Sequence, residues 1–336
     1  MNNPISFPYL GIELDPVSTL SIGSLHIRIY GLLIGLGLIL AVAYGWKRCK
    51  QFGIRQDDIT DGVLYIVPFA IICARLYYCI FEWDKYAADP ISVLYIWKGG
   101  LAIYGGVIGA IIGMAVFAHF RKIKLAALLD LVLLGFLIGQ SIGRWGNFFN
   151  REAFGAYCNN FLAMRIPSIN LHITADASET FMEQVYLLQQ EAAAGGYSGY
   201  IQVHPTFLYE SLWNAAGFVL LHFLSKKRQY DGQIALGYAL WYGLGRFLIE
   251  GLRMDSLYLG PIRVSQLLAG VTCFAASLLL FLFARKLHDP SKLFVNQVAL
   301  RNAQAADDKT AEETSDEDVV EESPAEDQAD EISTEE

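Results

Sequence analysis

Long apolar stretches, separated by short polar segments, run along the chain as far as Ala284. A helix rises about 1.5 Å per residue, so a stretch of about 20 apolar residues can cross a hydrocarbon core of about 30 Å. Seven stretches meet this requirement: Ile29–Trp46, Ile59–Phe81, Leu101–Phe120, Leu125–Phe149, Phe207–Leu224, Gln233–Ile249 and Val264–Ala284. The pattern therefore predicts an all-α polytopic membrane protein with about seven transmembrane helices.

Composition supports this fold class and separates a tail from the body. Of the 336 residues, 54% are hydrophobic and 18% are charged, which excludes disorder for most of the chain. The formal charge of −9 is concentrated at the end, because Asn302–Glu336 contains 15 of the 34 acidic residues and one of the 25 basic residues. We predict a transmembrane domain at residues 1–288 and an acidic, disordered cytoplasmic tail at residues 289–336.

The distribution of basic residues predicts the orientation. The connections that follow the first, third, fifth and seventh stretches carry 13 lysines and arginines, whereas the longer opposite loops carry six. By the positive-inside rule, the amino terminus is outside and the carboxyl terminus is cytoplasmic. The segment between the fourth and fifth stretches, about residues 156–203, is then a periplasmic cap. It contains a predicted amphipathic helix near Glu179–Ala194.

Ionisable side chains lie within several apolar stretches and point to a site. The most polar cluster is Gly143–Gly155, which begins near the outer end of the fourth stretch and includes Arg144. Arg246 and Glu250 are spaced i, i+4 on the sixth stretch, so they can pair. Two structural explanations are the alternatives to a site: Arg144 could extend its side chain to the lipid headgroups, and Arg246 and Glu250 could form an ion pair that only stabilises the helices. Because arginines exceed embedded acids, we expect an anionic ligand, and a phosphate fits the bidentate guanidinium.

Several motifs, in order, resemble the bacterial prolipoprotein diacylglyceryl transferase family over about residues 10 to 285. The most specific is Gly143–Gly155, which fits the family pattern G-R-x-G-N-F-x-N-x-E-x-x-G. The supporting matches are Arg28–Gly31, Arg75, Gly99–Gly106, His204–Pro205, Tyr209–Glu210, Tyr242–Gly243, Arg246 and Glu250. One such motif alone would be weak evidence, but the ordered set is specific.

The resemblance implies an enzyme that transfers a diacylglyceryl group from phosphatidylglycerol to the lipobox cysteine thiol of preprolipoproteins and releases glycerol phosphate. This is the first step of bacterial lipoprotein maturation. The implied partners are phosphatidylglycerol, preprolipoprotein signal peptides and membrane lipid, with no nucleic acid, no cofactor and no metal. The implied location is the bacterial cytoplasmic (inner) membrane, with several passes and an active site toward the outer leaflet and periplasm.

The resemblance also implies roles for individual residues. The expected catalytic residues are Arg144, Arg246, Tyr104, Glu152 and Glu250. The expected substrate-binding residues are Arg144, Asn147, Gly155, Tyr30, Arg75, His204 and Glu210. Some family members have histidine where Tyr104 stands, and that histidine has been assigned as the base. Tyrosine is a poor base at neutral pH, so the proton acceptor stays open between a Tyr104 activated by arginines and Glu152, Glu210 or His204.

Two other function classes are compatible with a polytopic membrane protein. A transporter or flippase for an anionic lipid would be expected to have a midplane site and internal repeats. The chain shows no convincing repeat, and its polar groups gather in the outer half of the helices. A non-catalytic scaffold or receptor would not need several embedded arginines. The five cysteines have no metal-ligand spacing and are expected to be small core residues, with Cys158 the one possible reactive thiol.

Overall fold

The computed structural model describes residues 4–23, 25–171, 173, 179–254, 258–259, 262–286 and 289–306 of the chain. Helices dominate these residues, so the predicted fold class is confirmed. In chain order the helices are α1 (Ile29–Arg48), α2 (Gln56–Phe81), α3 (Ile103–Phe120), α4 (Leu125–Asn150), α5 (Glu179–Ala194), α6 (Thr206–Ser225), α7 (Gln233–Glu250) and α8 (Val264–Lys286). Residues 294–306 are also helical.

Six helical segments of the described residues are long and apolar enough to cross a membrane. They are Ile29–Phe52, Gln56–Phe81, Ile103–Phe120, Leu125–Asn150, Thr206–Ser225 and Val264–Phe283. The sixth predicted span, Gln233–Ile249, is a helix over nearly the predicted residues (α7) but is not among these six segments. Its glutamine, arginine and glutamate make it more polar. Because α7 packs against α8, α6 and α4, protein contacts replace part of the lipid-facing surface.

Short strands, which the sequence did not predict, cover one end of the helices. The strands are β1 (Ile5–Phe7), β2 (Ile12–Leu14), β3 (Thr19–Ile22), β4 (Leu25–Arg28), β5 (Met164–Pro167), β6 (Tyr200–Val203), β7 (Tyr258–Leu259) and β8 (Ile262–Arg263). An antiparallel sheet in the order β2-β1-β5-β6 joins the amino-terminal segment to residues 156–203, and β3–β4 and β7–β8 form separate hairpins. The predicted helix of this region is confirmed as α5.

The two ends of the bundle differ in what covers them. We call the end that adjoins the sheet, where α4 and α7 finish and α6 begins, the cap end. The opposite end, with the α1–α2, α3–α4 and α6–α7 connections, is the basic end. One hydrophobic core lies toward the basic end and includes Phe52, Phe117 and Leu131, while the other lies under the sheet and includes Ile166 and Phe148. Helix α4 contributes to both cores, so it connects the cap to the bundle.

The ordered body extends past the predicted boundary at residue 289. Leu293 and Phe294 are buried, and Phe294 belongs to the core at the basic end. The backbone N–H of Phe294 donates to Asp231 at 2.9 Å, and a Cβ on Gly53 would lie 2.8 Å from the Cα of Val295. This apolar run packs the first half of residues 289–306 on the bundle, where the sequence predicted a disordered tail. Residues 307–336, which hold the acidic run, lie outside the described residues.

Candidate active site

The most polar motif of the sequence forms the end of α4 and the turn after it. The helix ends at Asn150; the next residue, Arg151, has a φ of 54°, and Ala153 also has a positive φ of 55°. These two left-handed residues reverse the chain and bring the carboxylate of Glu152 back to the helix. There it accepts hydrogen bonds from the Nδ2 groups of Asn147 at 3.1 Å and Asn150 at 3.2 Å. The motif therefore builds a carboxylate–amide group immediately beyond Arg144.

Glu210 of α6 is the centre of an ion-paired cluster that draws on three parts of the chain. Its Oε2 lies 2.6 Å from Nη2 of Arg144 on α4. Its Oε1 lies 3.3 Å from Nη1 of Arg246 on α7 and 3.2 Å from Nη1 of Arg253, just after α7. The side chain of Glu210 is only 5% exposed. Such a buried carboxylate requires cationic partners, and here it fixes three guanidinium groups around itself.

Glu250, at the end of α7, extends the same cluster. Its Oε2 lies 2.6 Å from Nη2 of Arg246 and 3.9 Å from Nε of Arg253. The predicted i, i+4 pairing of Arg246 with Glu250 is therefore confirmed. Arg263 donates from Nη1 to the backbone carbonyl of Glu250. Among the described residues, the side-chain ion pairs join three guanidinium groups and two carboxylates, and these five groups together carry one net positive charge.

Polar contacts between helices hold the cluster in register. Ser141 on α4 and Ser211 on α6 each donate a hydroxyl hydrogen bond to the other's backbone carbonyl, at 2.9 and 2.8 Å. Between α6 and α7, the indole rings of Trp213 and Trp241 stack with centroids 4.5 Å apart. Each ring N–H donates to the other residue's carbonyl, at 3.0 and 2.9 Å. These contacts lie one or two turns from Glu210 and Arg246, so they limit the movement of both side chains.

Gly155 permits a close approach of three chain segments beside the cluster. A Cβ at this position would lie 2.7 Å from the Cβ of His204 and 2.9 Å from the carbonyl oxygen of Leu252. Gly155 also forms a β-bridge with Arg253, and its N–H donates to the carbonyl of His204 at 3.0 Å. A side chain here would separate the turn after α4 from both neighbours. The predicted importance of Gly155 thus has a steric basis.

His204 and Tyr30 each contact the motif that ends α4, His204 at Gly155 and Tyr30 at Gly146. Nδ1 of His204 lies 3.3 Å from the hydroxyl oxygen of Tyr209, and burial lowers the pKa of His204 below its ordinary 6.5. The imidazole is therefore mainly neutral at neutral pH. Tyr30, in the first turn of α1, packs on α4, where a Cβ on Gly146 would lie 2.3 Å from its ring. The Tyr30 ring therefore packs against the turn of α4 that contains Asn147.

Two predicted site residues lie on α2 and α3, which contribute no side chain to the ion-paired cluster of the described residues. Arg75 is buried, and its guanidinium donates to the backbone carbonyls of the α2–α3 loop, with Nη1 2.7 Å from the oxygen of Gly99. Tyr104, in the first turn of α3, is 62% exposed. The structure thus brings together Arg144, Arg246, Glu210 and Glu250, places Asn147, Glu152, Gly155, His204 and Tyr30 beside them, and leaves Arg75 and Tyr104 on the α2–α3 side.

Comparison with known proteins identifies the family to which this site belongs. The family model described as prolipoprotein diacylglyceryl transferase matches residues 17–282. The chain belongs to the prolipoprotein diacylglyceryl transferase family. The matched range contains every residue of the cluster and of the predicted site. It ends before the docked segment at residues 289–306, so that segment lies beyond the part recognised as common to the family.

Individual family members agree with this assignment over most of their length. A protein of Clostridium novyi (strain NT) is 40% identical over 267 residues, which are 80% of this chain and 90% of the relative. One from Limosilactobacillus reuteri (strain DSM 20016) is 38% identical over 272 residues, 80% and 90% of the two chains. One from Bacillus cereus (strain B4264) is 38% identical over 285 residues, 84% and 97%. Each is named phosphatidylglycerol–prolipoprotein diacylglyceryl transferase, so the resemblance noted from the motifs is confirmed.

The structure adds residues to the site that the motif match did not select. Arg253 forms an ion pair with Glu210 and lies near Glu250. Its i, i+3 spacing from Glu250 is the sequence feature that could have predicted its place in the site. Trp145, the residue after Arg144, donates its indole N–H to the hydroxyl of Ser211 at 3.1 Å. A serine within an apolar helix has many alternative partners. The contact of Ser211 with Trp145 therefore depends on the packing of α6 against α4 and could not be predicted from the sequence.

Proposed function

We propose that the chain transfers a diacylglyceryl group from phosphatidylglycerol to the lipobox cysteine thiol of preprolipoproteins and releases glycerol phosphate. The observation that carries the proposal is the Arg144–Glu210–Arg246 cluster inside a family match of residues 17–282. Membership of the family supports the reaction, and the cluster supplies groups that suit its phosphate. A scaffold has no evident need for such a cationic group of partly buried arginines.

The charge of the cluster suits a phosphodiester. Its ion-paired side chains carry one net positive charge, and the phosphodiester of phosphatidylglycerol carries one negative charge. Arg144 and Arg246 keep side-chain exposures of 23% and 20%, whereas Glu210 and Glu250 are almost completely buried. The cationic partners are therefore the more accessible members of the cluster. We assign Arg144 and Arg246 to the donor phosphate, which they can bind with bidentate hydrogen bonds.

The reaction accounts for the need for fixed cations. The cysteine sulfur attacks the glycerol carbon that bears the phosphate, a carbon–sulfur bond forms, and the carbon–oxygen bond to phosphate breaks. The leaving glycerol phosphate keeps the electron pair, so negative charge increases at its oxygens. Guanidinium groups already held by Glu210 and Glu250 stabilise this charge without reorganising. We therefore assign Glu250 a catalytic contribution through the orientation of Arg246.

The remaining polar groups are assigned to the substrates. Asn147 and Glu152 form the hydrogen-bonded group next to Arg144 and are suited to the glycerol hydroxyls or the leaving oxygen. Tyr30 flanks this group on α1, and Gly155 and His204 flank it on the cap side. Arg75 is assigned to substrate binding through the loop that it holds. Tyr104 is assigned to the acceptor peptide, and the thiol proton passes to Tyr104, Glu152, Glu210 or His204.

We also propose that the protein spans the bacterial cytoplasmic membrane with its cap end toward the periplasm. The basic connections support this orientation through the positive-inside rule. The lipobox cysteine of a translocating precursor reaches the outer leaflet, so an active site near the cap end can meet it there. The carboxyl-terminal end of the chain is then cytoplasmic.

A mass measurement tests the proposed reaction. The purified chain is reconstituted with phosphatidylglycerol and incubated with a lipobox peptide, and the peptide mass is recorded. We expect addition of one diacylglyceryl group, no addition when the lipobox cysteine is replaced by serine, and none with phosphatidylcholine as the only lipid. Unmodified cysteine peptide in the presence of folded, membrane-incorporated protein and phosphatidylglycerol would contradict the proposal.

A further inference from the structure

The connection between α2 and α3, residues 82–102, is an irregular segment that joins two membrane-spanning helices at the cap end. It consists of short 3₁₀ turns at Trp83–Lys85, Pro90–Leu94 and Ile96–Lys98. Irregular backbone does not supply its own complete set of hydrogen bonds. Next to lipid, its carbonyl groups need partners from elsewhere in the protein.

Arg75 supplies those partners from inside α2. Its Nε donates to the carbonyl of Val93 at 2.8 Å, and its Nη2 donates to that of Ser92 at 2.9 Å. Its Nη1 donates to the carbonyls of Gly99 and Gly100 at 2.7 and 2.9 Å. The guanidinium is also 5.1 Å from the ring centroid of Tyr86. One buried side chain therefore turns four loop carbonyls toward the protein.

The opposite side of the loop is apolar and uncovered. Leu94 is 70% exposed and Trp97 is 74% exposed, and Ile103, where α3 begins, is 83% exposed. Ile91 and Leu101 are exposed as well. We call these five residues the apolar face of the loop. Contiguous apolar surface of this kind marks a contact with a membrane or another protein.

We propose that the apolar face of the loop lies in the lipid leaflet at the cap end, and that Arg75 makes this placement possible by bonding the loop carbonyls. The occupant of the surface is the acyl and headgroup boundary of the bilayer. This inference does not rest on the proposed reaction.

Three observations favour lipid over a protein partner. First, the helix that precedes the loop is also apolar and exposed where it meets the loop, since Ile80 and Phe81 at the end of α2 are highly exposed. Second, Trp97 and Tyr95, whose rings lie 5.2 Å apart, are residue types enriched at membrane interfaces. Third, the backbone is bonded inward by Arg75, which is the condition for irregular structure at membrane depth.

Tryptophan emission tests the placement in the full chain, reconstituted into vesicles of phosphatidylcholine and phosphatidylglycerol. Brominated acyl chains quench tryptophans in lipid, and aqueous iodide quenches those in water. The difference between the native chain and a Trp97→Phe variant gives the emission of Trp97. In the Trp97→Phe background, Leu94→Trp is a second reporter. Ile169→Trp is the matched reference, because Ile169 is 82% exposed on the cap, outside the spans.

We expect brominated chains to quench the tryptophans at positions 97 and 94 several-fold more strongly than the one at position 169, and iodide to show the reverse order. Quenching of the loop reporters by iodide alone would overturn the proposal, since the loop would then lie in water. Protection from both quenchers would also overturn it, because a protein surface would then cover the loop. Equal bromine quenching at all three positions would likewise contradict a specific lipid contact of the loop.

The role of Arg75 is tested by an Arg75→Lys variant, which keeps the charge but has only one nitrogen to reach four carbonyls. We expect the Trp97 emission of the incorporated variant to lose bromine quenching and gain iodide quenching. Unchanged quenching in this variant would overturn the role of Arg75. The reporters in the chain with native Arg75 decide the lipid contact whether or not the variant folds.

Discussion

Replacement of Arg144 by alanine separates the proposed catalytic role of this arginine from a structural one. Glu210 loses one partner at 2.6 Å but keeps Arg246 at 3.3 Å and Arg253 at 3.2 Å. The buried carboxylate therefore stays paired. Because Arg144 is 23% exposed, we expect at most the loss of a charged hydrogen bond, about 1.5–3 kcal/mol of unfolding free energy.

The effect on the reaction should be larger. Without Arg144 the ion-paired set becomes electrically neutral, and the phosphate loses a preorganised donor. Removal of one such donor typically costs about 10²–10³-fold in rate. Arg144→Lys retains the charge but not the planar fork, so it should also lose most of the activity. Diacylglyceryl addition per folded protein, measured by mass spectrometry in proteoliposomes, gives the rate, and thermal unfolding in detergent gives the stability.

Arg151→Ala is the matched control for these variants. Arg151 lies in the same motif and is partly buried, but it pairs with Asp15 at 3.0 Å, away from both glutamates of the cluster. We expect this variant to keep activity within about an order of magnitude of the native chain, as for an ion pair with a partly exposed partner. Near-normal transfer by Arg144→Lys, or an equal loss in Arg151→Ala, would refute the proposed role of Arg144.

Three further predictions concern the acceptor side, the docked segment and pH. Tyr104→Phe should slow transfer moderately and Tyr104→His should stay active, if Tyr104 positions the peptide. Abolished turnover with retained lipid binding in Tyr104→Phe would contradict this. Truncation after Ala306 should preserve activity and thermal stability, whereas truncation after Lys292 should lower thermal stability because it removes buried Phe294. Burial lowers the pKa of His204, so protonation costs more in the folded chain than in the unfolded one. Unfolding temperature should therefore fall as pH drops through about 6.5, and His204→Gln should reduce that fall relative to the native chain.

The helices themselves were largely predictable from the sequence because lipid imposes a strong pattern. Long apolar runs and the i, i+4 spacing of Arg246 and Glu250 are local features, and both appear in the structure as predicted. The central position of Glu210 was not predictable in this way. Its three arginine partners come from α4, from α7 and from the turn after α7, and only the packing of these segments brings them together.

The cap and the docked segment show where local patterns give too little information. Strands β5 and β6 are four residues each. They pair with each other although α5 separates them in sequence, and β1 from the amino terminus pairs with β5. Leu293 and Phe294 are a short apolar pair next to a polar sequence, which resembled the start of a disordered tail. Their burial depends on an opening beside Gly53 and on Asp231, both distant in sequence.

The proposed transfer is tested by the ratio of its two products, released glycerol phosphate and modified peptide. Vesicles containing the chain and phosphatidylglycerol labelled in its glycerol phosphate headgroup are supplied with a lipobox peptide, and released glycerol phosphate and modified peptide are quantified together. We expect equal molar amounts of the two products, with both lost in Arg144→Ala and retained in Arg151→Ala. Labelled lipid that moves across the bilayer while the peptide stays unmodified, with no release of glycerol phosphate, would contradict it.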